Sequence, residues 1–85
     1  YPEEEVANLN AAAVALSKKD LPDARKYLDK SNKQTAEYAN NNGIYYLLSG
    51  NKDQAIVEFT KAARNGNEAA RYNLEEIEKV IKIKK

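Results

Sequence analysis

Apolar positions along the chain recur with a helical period, and short polar breaks divide them into five runs. Val6, Leu9, Ala13 and Leu16 form the first stripe, which "SKKD", Ser17 to Asp20, interrupts. Leu21, Ala24, Leu28 and Ser31 then share one face. Asp20 is placed to cap this second helix, with Pro22 in its first turn, where a missing backbone donor costs little. "SNKQT", Ser31 to Thr35, is the next break, and Thr35 is placed to cap a third helix over about Ala36 to Ser49, closed by Gly50 as a left-handed residue. Asn51 or Asp53 starts a fourth helix with Ala55, Phe59, Ala62 and Ala63 facing inward. Gly66 ends it, and Asn67 caps a fifth that aligns Ala70, Leu74, Ile77 and Ile81. The pattern predicts an all-α chain of about five helices joined by short turns, so that sequential neighbours run antiparallel.

One stretch resists this reading. "YANNNGIYY", Tyr38 to Tyr46, puts three asparagines and a glycine, all poor helix formers, inside the third helical run. Internal similarity explains why a helix is still expected there. An offset of 31 residues carries Ala24 onto Ala55, Leu28 onto Phe59, Ser31 onto Ala62, Asn10 onto Asn41 and Ala12 onto Gly43. A further offset of 32 carries Asn41 onto Asn73. The repeating unit is a helical hairpin.

These spacings resemble the tetratricopeptide repeat (TPR) family, whose signature pairs a small residue and a tyrosine on the first helix with Ala-x3-Phe on the second. Gly43-x2-Tyr46 and Ala55-x3-Phe59 match it in register, Ala62 fits a further small packing position, and "SGNKDQAI", Ser49 to Ile56, is similar to the family's inter-helix turn. The first unit keeps Ala12 and Ala24-x3-Leu28, with Ala15 in the tyrosine place. "EAARYNLEEIEKVIK", Glu68 to Lys82, resembles the first helix of a third repeat, with Glu75 and Glu78 at the packing positions, as suits a terminal helix facing water. Asn8, Ala39 and Arg71 stand where the family has a large residue, and Asn42 where it has leucine. The resemblance spans about Glu5 to Ile83. It implies one right-handed superhelical array of hairpins: repeat one over 5–35, repeat two over 36–67, and a capping helix over 68–85. Gly43 and the alanines would permit close helix approach, with Tyr46 and Phe59 filling the space beside them.

In such arrays first helices line a concave face, where asparagine can pair with the main chain of an extended peptide through its donor and acceptor. The resemblance therefore implies a peptide-binding groove with Asn10, Asn41 and Asn73 as rungs, Asn40 beside them, and Val6, Leu9, Ala13, Ile44, Leu47, Leu48, Ala69 and Tyr72 as further concave-face positions, part of the set being buried between helices. The alternative is that these amides bond only water or neighbouring helices. Of the basic and asparagine positions some family members use to clamp a carboxylate, only the asparagine elements match; Leu9, Ala69 and Asn73 fill the basic places. Asn42 has no role in this scheme unless it bonds a neighbouring backbone.

Composition narrows the function classes. The chain has 85 residues, with 14 lysines and arginines against 13 aspartates and glutamates, a net charge of +1 that makes no case for nucleic acid. Cysteine and histidine are absent, which removes the thiolate nucleophile, the commonest metal ligand and the usual general base at neutral pH. With no P-loop and no zinc spacing, no cofactor or catalytic constellation is indicated, and the expectation is not an enzyme. Glu3 to Glu5 read as charges favoured at a helix N-terminus, and "KIKK", Lys82 to Lys85, as charges favoured at a C-terminus. No apolar run approaches the roughly 20 residues that span a bilayer, so membrane insertion is not expected. The chain begins at Tyr1 and lacks methionine, and is read as a piece of a longer protein. The expected function is a scaffold or adaptor binding a protein or peptide segment in the concave groove. The alternative is a structural spacer or oligomerisation segment of a larger protein, such as one of the cell envelope. Oligomeric state and compartment, cytoplasmic or periplasmic, stay open.

Overall fold

Every helix after the first opens on a side-chain oxygen. Asp20 accepts from the Asp23 amide at 3.2 Å, Thr35 from Tyr38 at 3.1 Å, Asn51 from Gln54 at 3.2 Å and Asn67 from Ala70 at 2.9 Å. Each satisfies one of the donors a helix start leaves unpaired. The computed structural model describes residues 3–84, with side chains described at 4 and from 6 to 80. The helices are α1 (Glu3–Ser17), α2 (Leu21–Asp29), α3 (Ala36–Leu48), α4 (Lys52–Arg64) and α5 (Glu68–Lys84), and no strand occurs among the described residues. The third helix stops one residue earlier than its sequence predicts, with Ser49 as its C-cap. The capping residue of α4 is Asn51 rather than Asp53. Ile81, the side chains of Glu3 and Glu5, and the lysines of the terminal "KIKK" lie outside the described side chains.

Three helix ends use one device. Lys19, Gly50 and Gly66 adopt φ of 59°, 88° and 88°. The next amide then reaches back to a carbonyl five residues earlier: Asp20 to Ala15 at 2.8 Å, Asn51 to Tyr46 at 2.8 Å and Asn67 to Ala62 at 3.0 Å. This Schellman geometry turns the chain sharply and pairs carbonyls the helix leaves open. Glycine takes the positive φ without strain at two of the ends, whereas Lys19 takes it with a side chain.

The turns fold α1 onto α2, α3 onto α4 and α5 onto α4, and α3 leans on both α1 and α2. Phe59 and Leu28, both fully buried, anchor the interior. Ala39, Ala55, Ala62, Ala70 and Ile77 surround Phe59, with Tyr46 and Ile44 packed at the edge, while Leu9, Ala12 and Tyr38 surround Leu28. The buried face of α1 differs from the expected stripe. It consists of Leu9, Ala12, Ala15 and Leu16, whereas Val6 and Ala13 are exposed. Alanine's small side chain lets α2 and α3 approach this face closely, which turns Val6 and Ala13 outward.

Thr35 is a local test of how much the caps contribute. It is buried, and its Oγ1 also donates to the Asn32 carbonyl at 3.1 Å. Thr35→Ala is expected to lose about 1–2 kcal/mol in urea unfolding, and Thr35→Ser to keep most of that stability. Equal midpoints for the alanine variant and the wild type would show that the cap adds nothing.

Candidate functional site

Because α1 and α3 are neighbours, their outward faces form the two walls of a cleft of about 340 Å³. Val6, Leu9, Asn10 and Ala13 come from α1, Glu37, Asn40 and Asn41 from α3, and Asn67 closes one side. Apolar groups and carboxamides thus alternate along one open groove. Six of the predicted concave-face residues, Val6, Leu9, Asn10, Ala13, Asn40 and Asn41, meet here.

The amides are partly engaged. Asn41 Nδ2 donates to the Leu9 carbonyl at 3.3 Å, tying α3 to α1. Asn73 Nδ2 donates to Asn40 Oδ1 at 3.1 Å, tying α5 to α3. Asn10 makes no side-chain hydrogen bond among the described residues, and neither do Asn40 Nδ2 and Asn41 Oδ1. Asn10 is exposed, and no buried side-chain polar atom among the described residues lacks a partner, so the free groups of Asn40 and Asn41 are open to solvent as well. Asn73 stands apart from the cleft. With Leu47, Ile77 and Val80 it lines a smaller apolar hollow of about 220 Å³ between the α3–α4 turn and α5. Ile44 packs against the core, and Tyr72 is 62% exposed outside both recesses.

Asn42 points away from the cleft into a polar bridge between three helices. Its Oδ1 accepts from Arg25 Nη1 of α2 at 3.0 Å, and its Nδ2 donates to Glu58 Oε1 of α4 at 2.9 Å. Glu58 is 4% exposed, and its second oxygen meets Lys61 Nζ at 2.8 Å. That hydrogen bond and the attraction of the carboxylate raise the Lys61 pKa above its usual 10.5. Arg25 also reaches Asp29 at 3.0 Å and the Tyr38 hydroxyl at 3.4 Å, and lies 4.9 Å from the centre of the Tyr45 ring. Burial opposes its charge, but Tyr38 and Asp29 outweigh it and the Arg25 pKa is raised. Glu58 and Arg25 were not singled out in the sequence. The signal was available for Glu58, which falls on the inward face of α4 one residue from Phe59.

Among the described residues no group of three or more acidic, histidine or cysteine side chains converges to hold a metal, and no described helix is long and apolar enough to cross a membrane. No protein-family model matches the sequence, and comparisons with curated proteins and with solved structures return no match.

Proposed function

We propose that the chain is a non-catalytic interaction module that takes an extended peptide segment along the cleft between α1 and α3. We propose further that its hairpins form a right-handed, tetratricopeptide-like superhelical array. The observation that carries the binding reading is the juxtaposition of unpaired amide groups on Asn10, Asn40 and Asn41 with Val6, Leu9 and Ala13 in one open groove. An extended backbone presents alternating donors and acceptors, which such amides can pair without reading side chains, while small apolar side chains settle between the rungs. Asn73 serves this groove indirectly, by orienting Asn40. The array reading is supported by the lean of α3 on both helices of the preceding hairpin and by the contact of Gly43 with Phe59 at the motif positions.

Selection of phage-displayed random dodecapeptides on the immobilised protein tests the reading. Enriched peptides are expected to shift the backbone and side-chain amide resonances of Leu9, Asn10, Asn40 and Asn41, and to bind Asn10→Ala, Asn41→Ala at least fivefold more weakly. Enriched peptides whose footprint lies elsewhere, or the absence of any enrichment, would sink it.

A second reading, a structural spacer or oligomerisation segment of a larger protein such as one of the cell envelope, draws on a different observation. Leu47 and Val80 beside the α3–α5 hollow are 40% and 46% exposed. Concentration-dependent dimerisation in sedimentation equilibrium, abolished by Val80→Glu, would favour it.

A further inference from the structure

We infer that the segment held by this cleft is basic, with a lysine or arginine of the partner standing against Glu37. The inference rests on the peptide-binding reading above and adds the chemistry of the occupant. Its basis is a segregation of charge that overall composition conceals. The chain is nearly balanced, 14 cations against 13 anions, yet neither α1 nor α3 contains a lysine or arginine. Every charge on those two helices is a carboxylate: Glu3, Glu4 and Glu5 in the first turn of α1, and Glu37 in the first turn of α3. Among the described residues the cations lie on α2, α4, α5 and the turns, as with Lys18, Lys33 and Arg64.

The fold gives this asymmetry a consequence by setting α1 against α3. Among the described residues lining the cleft, Glu37 bears the only formal charge. It is exposed and has no ion-pair partner among the described residues, whose ion pairs are Arg25–Asp29, Lys61–Glu58 and Lys79–Glu76. From the α5 side the lining residue is the neutral Asn67; Glu68 and Arg71 further along do not line the cleft. The N-terminus of α3 contributes roughly half a positive charge, which offsets part of the Glu37 carboxylate but does not reverse it. A peptide carboxylate would therefore enter a cleft with no cation among its described lining residues to receive it. A cationic side chain finds a carboxylate at the groove's edge, and its aliphatic stem can lie along the apolar floor.

The test uses one peptide enriched in the selection, made in three forms that differ only at its principal basic position: lysine, norleucine and glutamate. Against the wild type at low salt the lysine form is expected to bind about three- to tenfold more tightly than the glutamate form, with norleucine between. The difference should shrink at 1 M salt, where the Debye length is about 3 Å. Glu37→Lys is expected to reverse the order and Glu37→Gln to flatten it, with circular dichroism verifying that both variants fold. Enriched peptides without an excess of lysine or arginine, or three forms that bind equally to all proteins, would overturn the charge assignment and leave the peptide groove standing. Failure of every peptide to perturb the α1 and α3 resonances would overturn the groove and this inference together.

Discussion

Gly43→Leu is expected to abolish folding, and Gly43→Ala to cost about 1–2 kcal/mol even after the helix-propensity gain of roughly 1 kcal/mol that alanine brings. A Cβ on Gly43 would lie 2.6 and 2.7 Å from Phe59 Cε1 and Cδ1, well inside van der Waals contact. Phe59 is fully buried against alanines of three helices, so the ring cannot swing out without disturbing those contacts. Alanine requires a small displacement of the ring, whereas leucine would insert three more carbons into filled space. An 85-residue domain has about 4–13 kcal/mol of total stability, so the larger insertion consumes most or all of it. Circular-dichroism melts of both variants check this, and an unchanged midpoint for leucine would refute the packing register. Phe59→Leu provides the specific control. Combined with Gly43→Ala it should destabilise less than the two changes summed, by about 0.5–3 kcal/mol, because one ring is shared between them.

This contact also marks how far the sequence was legible. Helix starts and stops could be read because they depend on chemistry within three to five residues: Asp20, Thr35, Asn51 and Asn67 as caps, Gly50 and Gly66 as left-handed ends. The close approach at Gly43 was legible from a spacing of small and aromatic residues. The division of α1 between residues that pack inward and residues that line the groove was not, since in an alanine-rich helix several faces look equally apolar and only the partner helices choose among them. The asparagines were legible as a group but not atom by atom. Asn41 and Asn73 each spend one donor on another helix, with partners 32 and 33 residues away, and no local pattern announces such a bond. Charge segregation between α1 with α3 and the rest was present in the sequence, but acquires meaning only once those two helices stand side by side.

Asn42→Leu is expected to cost about 2–4 kcal/mol, although it places an apolar side chain of similar size at a buried position of a helix. Asn42 is 6% exposed and, among the described residues, is the one side chain that hydrogen-bonds both Arg25 and Glu58. Leucine cannot donate to Glu58 or accept from Arg25, so a carboxylate 4% exposed would retain Lys61 as its only partner. The Arg25 side chain is 28% exposed and keeps Asp29, so its loss is smaller. The cost should therefore sit on Glu58, and removing that charge should recover it: Asn42→Leu, Glu58→Leu is expected to regain most of the stability in urea unfolding, since buried polar networks are often replaced by apolar groups at little cost. A single variant as stable as the wild type would show that the bridge carries no net stability, and a double variant no better than the single would locate the cost elsewhere. The same pair separates stability from geometry. Asn40 and Asn41 face the cleft while Asn42, the next residue, holds the other side of α3 to α2 and α4. A double variant restored in stability but altered in the amide resonances of Leu9 and Asn41 would mean that the polar bridge sets how α3 stands against α1, and with it the width of the groove.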